Sequence, residues 1–270
     1  MNKNTEIIYK EQLTDFLLLI LRIAENEIRY SNDFEKEFQK RLKFQKKTDW
    51  KRFRASVDLL DDTEYAIISA FMYQLGDLEN KNNDFGETNI RLYGILNAVY
   101  LQMSAFEEIA VLLHYSSRKE IRQIFNDLDI YKLRGIAGAH TVDYEYSKTE
   151  RKENSEINKT TSFRIVQMQL EKTGKKITVI DENDIWSEFN LIKILSEYEK
   201  IATELLIKLI RFSIKRLIKT NEEKIEIENN LNELVPKLID YKTLDKNKDY
   251  WKRHYKKFEK DIDKFYSGEE

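Results

Sequence analysis

The sequence predicts an all-α fold, a helical bundle carrying one β-hairpin, and three observations carry that prediction. Glycine (7) and proline (1) supply only 8 of 270 residues, about 3% where average usage gives about 12%. An all-β sandwich or barrel needs turn residues every eight to twelve positions and is effectively excluded. Hydrophobic residues make up 41% of the chain and charged residues 35%, so the apolar side chains must gather on stripes, as amphipathic helices arrange them. Two long stretches then repeat apolar residues at alternating spacings of four and three, the seam of a bundle.

Taken in order, Thr5 to Tyr30 reads as a helix, with Ile8, Leu13, Phe16, Leu17, Ile20, Ile23, Ala24 and Ile28 recurring at helical spacing. Further helices are expected over about Asp33 to Leu60 and Asp62 to Gly76. The polar, Asn-rich segment Glu79 to Glu87 (ENKNNDFGE) is the expected linker. It divides a helical region at 1–86 from a bundle at 87–220. Within the bundle, Thr88 to Tyr115 carries the seam Leu92, Leu96, Val99, Met103, Phe106, Ala110 and Leu113.

Ser117 and Glu120 stand in capping-box relation at the head of a shorter helix reaching Leu128. Another helix begins near Asp129 and carries Arg134 and His140. Asp143 to Thr161 lacks periodicity and is expected to be a loop. The hairpin falls at 162–181: β-branched runs Phe163 to Leu170 and Ile177 to Ile180 flank Gly174, which can take the positive φ of the turn. Asp184 is expected to cap a helix to about Lys219 with the seam Leu195, Tyr198, Ala202, Leu205, Leu209 and Phe212, near 50 Å long at ~1.5 Å per residue. A C-terminal extension at 221–270 holds a helix ending or kinking at Pro236 and another from about Asn247 to Tyr266. No internal repeat is evident.

Composition narrows the chemistry. With no cysteine and three histidines, a disulfide framework, a thiolate metal site and a cysteine nucleophile are excluded, and neither metal nor cofactor is expected. Nothing resembles a phosphate loop, a dinucleotide fold or a serine triad. The N-terminus shows no cleavage-site pattern, and its longest apolar run, Phe16 to Leu21, falls far short of the ~20 residues that span a bilayer. A cytoplasmic protein without a membrane segment is expected. The formal net charge is −2, yet bases cluster locally. Asp33 to Ser56 holds nine Lys/Arg against four acids, Leu205 to Lys219 holds five bases and no acid, and Lys246 to Lys264 interleaves eight bases with Tyr250, Trp251, Tyr255 and Phe258. Such stretches either grip a phosphate backbone and stack bases or form solvated helix faces.

The sharpest motif is Leu133-Arg134-Gly135-Ile136-Ala137-Gly138-Ala139-His140-Thr141. On a continuous helix Arg134 and His140 lie on different faces, whereas a break at Gly138 brings them to one pocket. A guanidinium that holds phosphate bidentately and an imidazole that moves a proton near neutral pH suit phosphodiester cleavage. His114 reads as a helix-terminal histidine and His254 as a surface one. Glu107 and Glu108 diverge by about 100° on a helix and are assigned no chemistry.

This motif, together with Tyr93-Gly94-Ile95-Leu96-Asn97-Ala98-Val99-Tyr100-Leu101-Gln102-Met103-Ser104-Ala105, resembles the HEPN superfamily of small helical bundles, many of them metal-independent RNases of toxin–antitoxin, abortive-infection and CRISPR systems. The resemblance covers about Glu87 to Lys219. It implies a homodimer with a composite cleft, in which Arg134 holds the scissile phosphate and His140 acts as general acid or base. The RNA 2′-hydroxyl attacks, leaving a cyclic phosphate and a 5′-hydroxyl. Gln102 matches the family glutamine and would back the motif. The sequence departs from the pattern at Gly135, where active members usually carry Asn, Asp or His, and Tyr144 lies two positions too late for the Arg-x4-His-x-Tyr form. RNA is the expected partner, gripped by Lys208, Arg211, Lys215 and Arg216, with an antitoxin or defence-operon protein as a second partner. The alternative is a non-catalytic HEPN-like adaptor that dimerises and binds RNA or a partner protein.

Overall fold

The structure is a computed structural model and describes residues 10–26, 34–76, 85–138, 144–145 and 160–238. It is mostly helical, with a small antiparallel sheet. Helix α1 is Lys10–Asn26, α2 is Phe34–Leu42 and α3 is Asp49–Tyr73. The helix expected over 33–60 is thus two helices, and the break expected near 61 does not exist. The chain reverses at Lys43, which takes φ 56°. There the Phe44 N–H donates to Gln39 O (2.9 Å) and the Lys43 N–H to Lys40 O (3.2 Å), the paired bonds that close a helix C-terminus around a left-handed residue. Asp49 then opens α3, its carboxylate accepting from the N–H groups of Gln45 (3.0 Å) and Lys46 (2.9 Å). Asp61 and Asp62 lie within α3, Asp61 half-buried at the flank of the buried stripe Leu60, Ile67 and Phe71 and Asp62 exposed.

Helix α4 (Phe85–Leu112) is the centre of the bundle. All seven seam residues are buried, and α4 packs most extensively against α3. It is the one described helix long and apolar enough to cross a bilayer, yet most of its apolar window lies inside the protein, as expected of a helix apolar on several faces. It closes at His114 (φ 54°), where the Tyr115 N–H reaches Ala110 O (2.9 Å) and the His114 N–H reaches Val111 O (3.0 Å). Helix α5 (Arg118–Asn126) starts from the expected capping box: Ser117 Oγ accepts from the Glu120 N–H (3.3 Å), and the Glu120 carboxylate from the Ser117 N–H (3.0 Å). Helix α6 is Asp129–Gly138.

The segment read as a loop, 143–161, carries two short strands, β1 (Tyr144–Glu145) and β2 (Thr160–Thr161), paired antiparallel. The hairpin gains a strand. β3 (Phe163–Ile165), β4 (Ile177–Asp181) and β5 (Trp186–Phe189) form an antiparallel sheet in that order, with Ile165 opposite Val179 and Ile177 opposite Phe189. Strand structure stops at Ile165, and Gln167–Gln169 turn as 3₁₀ helix. Gly174 takes φ 60°; a Cβ there would meet the side chains of Leu191 and Leu75 at 3.4 Å.

Asp184 is not a helix cap. It sits at φ 59° in the β4–β5 turn, where Asp181 Oδ1 accepts from the N–H groups of Asn183 and Ile185, both at 2.8 Å. The cap is Asn190, whose Oδ1 accepts from the Lys193 N–H (3.0 Å). Helix α7 therefore runs Leu191–Leu217, 27 residues or about 40 Å. Helix α8 (Asn221–Leu234) begins at Thr220 and ends before Pro236, which opens a final 3₁₀ turn. The helix expected from Asn247 lies outside the described residues.

One apolar core includes residues from α1, α3, α4, α5, α6, the sheet, α7 and α8, so packing is continuous across the boundary expected at 79–87. The same packing buries every seam residue of α4 and all but Phe212 in the seam of α7.

Candidate functional site

Arg134 lies on α6, whose Ile130, Leu133, Ile136 and Ala137 are buried. Those contacts fix the helix against α4 and leave Arg134 half-buried at its flank. The guanidinium stacks over the ring of Tyr100 on α4, with Cζ 3.9 Å from the centroid. A guanidinium on an aromatic face keeps its in-plane N–H donors available. Among the described residues no carboxylate pairs with Arg134. Gly138 is exposed, does not adopt positive φ, and would admit a Cβ without contact. A left-handed break at Gly138 is therefore absent. His140 and Thr141 lie outside the described residues, as does His254.

Beside this stack, α4, α5 and α6 enclose a cavity of about 120 Å³. Tyr100, Tyr131 and Phe125 form its aromatic walls, and Glu107, Arg122 and Asn126 contribute its polar groups. Arg122 grips Glu107 with two parallel bonds, Nε to Oε1 at 3.0 Å and Nη2 to Oε2 at 2.8 Å. These bonds and the Glu107 charge push the Arg122 pKa upward. Glu108 instead pairs with Arg118 and Arg52, so the two adjacent carboxylates do diverge and share no arginine. Asn126 Oδ1 is buried and has no hydrogen-bond partner among the described residues.

Gln102 does not sit with Arg134 in this arrangement. It is the hub of a buried polar cluster that the sequence reading missed. Lys10 Nζ lies 2.7 Å from both carboxylate oxygens of Glu199, 2.8 Å from Glu64 Oε2 and 2.8 Å from Gln102 Oε1. Tyr198 donates its hydroxyl proton to Gln102 Oε1 (2.7 Å), and Gln102 Nε2 donates to Thr63 Oγ1 (3.1 Å) and Glu64 Oε2 (3.3 Å). All six residues are buried. Burial alone pushes the Lys10 pKa down, but the Glu199 and Glu64 carboxylates outweigh it and hold the group above its usual value. Burial, with the two carboxylates adding to it, pushes Tyr198 well up, so its hydroxyl keeps its proton. A signal for this cluster existed: Lys10, Glu64, Gln102 and Glu199 each occupy a core-facing place in a three–four repeat, for example Leu60, Glu64, Ile67, Phe71.

The basic residues of α7 divide by role. Lys208, Arg211 and Lys215 are exposed, with Arg211 also donating to Asn232 Oδ1 on α8 (3.1 Å). Arg216 is not available for phosphate. Its guanidinium donates to Leu42 O (3.0 Å) and Leu113 O, capping the C-termini of α2 and α4 together. His114 joins the same corner through its Nε2, 3.1 Å from Lys43 O. Among the described residues no group of three His, Asp or Glu converges as a metal site.

No family model, no characterised protein and no solved structure matches the chain. Its class is therefore set by its own architecture, a helical protein with a small antiparallel sheet.

Proposed function

We propose that this chain is a HEPN-like, metal-independent endoribonuclease of the cytoplasm, with Arg134 binding the scissile phosphate and His140 moving the proton. The supporting observation is the Arg134 guanidinium, stacked on Tyr100 with its donors uncommitted to any carboxylate among the described residues. The motif that continues from α6 places His140 two residues after Gly138. In this reading the RNA 2′-oxygen attacks the neighbouring phosphorus and the 5′-oxygen of the next nucleotide leaves with a proton. Excess EDTA then leaves the cleavage rate intact, products end in 2′,3′-cyclic phosphate, and a substrate with 2′-deoxyribose at the cleaved position resists. Cleavage of that deoxy substrate at the same position overturns the reading.

Two copies are needed for a composite cleft, so light scattering is expected to give twice the 32.5 kDa chain mass at micromolar concentration. A monomer that still cleaves removes the composite site. A toxin or defence role, with an antitoxin or operon partner, belongs to the same proposal. Gly135 favours the second reading, a non-catalytic adaptor, because glycine supplies no polar side chain where active relatives of the motif carry one.

RNA binding in either reading uses the exposed α7 stripe. Neutralising Lys208, Arg211 and Lys215 together should flatten the slope of log affinity against log salt, by about 0.7 for each phosphate of a single strand that the side chains cease to neutralise. Arg216→Ala should leave that slope in place and lower the melting temperature instead, because it uncaps two helices. The reverse pattern in salt titrations and thermal melts places the RNA contact at Arg216.

A further inference from the structure

We infer that the groove between α1 and α8 docks residues 247–266 of this same chain as an amphipathic helix, independently of any action on RNA. The groove holds about 350 Å³. Phe16, Leu19 and Ile23 of α1 and Ile227 of α8 give it apolar walls, and Glu223 and Glu226 line it from α8. Leu19 is 48% exposed there, although its helix neighbours Leu17, Ile20 and Leu21 are buried. Helix α8 buries only Ile227 and Leu231, so it is packed along one side and leaves the groove open on another.

Pattern, charge and reach select that occupant. Trp251, Tyr255, Phe258, Ile262 and Phe265 recur at spacings of four, three, four and three, the repeat that lies buried along α4. A helix laid into an apolar groove is read through anchors at i, i+4 and i+7, the places that Trp251, Tyr255 and Phe258 hold. The charges are complementary. Helix α8 carries five acids against the single base Lys224, and Glu226 meets no base among the described residues. Residues 246–264 hold eight bases against four acids, the opposite sign, and opposite potentials favour this pairing over others. The chain is also long enough. The last described residue, Leu238, follows the 3₁₀ turn at the end of α8. The eight residues 239–246 extend to about 26 Å, more than the ~21 Å length of the 14-residue α8. They therefore let the segment return along α8, and so short a tether holds it near the groove at about millimolar effective concentration.

The test uses the full chain, which has no cysteine, so Leu19→Cys places a single thiol in the groove. A maleimide should label that thiol about 10-fold or more slowly than it labels the same thiol in a Trp251→Asp/Phe258→Asp background, because the docked segment must first open. The slow rate should hold as the protein is diluted. Equal rates in the two backgrounds leave the groove uncovered and overturn the proposal. Slow labelling that quickens on dilution gives the groove to a second copy and overturns the intrachain assignment. Should Leu19→Cys melt early, hydrogen exchange on the unsubstituted chain replaces it. Amides of 247–266 should then be protected, and Glu223→Lys/Glu226→Lys should remove the protection. Protection that survives this charge reversal places the segment elsewhere and overturns the dock. If Trp251→Asp/Phe258→Asp weakens RNA binding while the thiol rate stays unchanged, the segment is an RNA-binding arm and the docking is wrong.

Discussion

Lys10→Ala is expected to destabilise the fold by about 3–5 kcal/mol, the scale for removing one partner of a buried ion pair. The substitution withdraws the ammonium that joins Glu199 and Glu64 at 2.7 and 2.8 Å and also removes a donor from Gln102 Oε1. Urea unfolding measures it. The triple variant Lys10→Met/Glu64→Gln/Glu199→Gln should recover at least half of the loss, because it removes the charges together instead of stranding two of them. A single-variant cost below about 1 kcal/mol shows that the ammonium is not what holds those carboxylates in the core. The pH dependence follows from the raised Lys10 pKa. A raised folded-state value means the contribution is fully present below the unfolded lysine value of about 10.4 and disappears as pH rises through the folded one. Wild type should therefore lose stability in strong alkali more steeply than Lys10→Met.

The second large effect is catalytic. His140→Ala and Arg134→Ala should each lower RNA cleavage by ~10² or more, the scale of a general acid–base group or a charge-stabilising donor. Arg134→Ala should leave the melting temperature nearly unchanged, since the side chain is half-buried and its contact is one face of Tyr100. Arg134→Lys should restore little, because a point charge lacks the planar fork that stacks and binds two oxygens at once. Gly135→Asn tests the departure in the motif, and a rise in cleavage is the expected direction. If Arg134→Ala/His140→Ala cleaves RNA as well as wild type, the nuclease proposal is wrong and the adaptor reading replaces it.

The central helices were legible because long apolar repeats leave little choice of partner surface, as in Leu92 to Leu113 and Leu195 to Leu209. The hairpin was legible because Gly174 marks a turn that only a flexible residue enters without strain. Where the chain reverses without glycine, the signal vanished. Lys43, Gln74, His114 and Asp184 all take positive φ, and two of them hid features outright: Lys43 the break between α2 and α3, Asp184 the turn into β5. The four residues Trp186–Phe189 are too short to show a period of their own. At the candidate site, Arg134 could be read, but its stack on Tyr100 could not, since it joins helices with no sequence mark of their pairing. Arg216 looked like its exposed neighbours because charge alone does not tell a surface base from a capping one.

The Lys10 cluster also sets an order of events in biosynthesis. Lys10 and Glu199 are 189 positions apart, so the helix that begins with Lys10 leaves the ribosome long before its partner on α7 exists. Closing so distant a contact carries a loop-entropy cost that local helix pairing does not. The α3–α4 hairpin can therefore form first, with Glu64 and Gln102 still hydrated, and docking of the N-terminal helix comes late. A nascent chain stalled before α7 would hold a lysine with no carboxylate from residue 199 to meet, and an apolar α1 face open to chaperones.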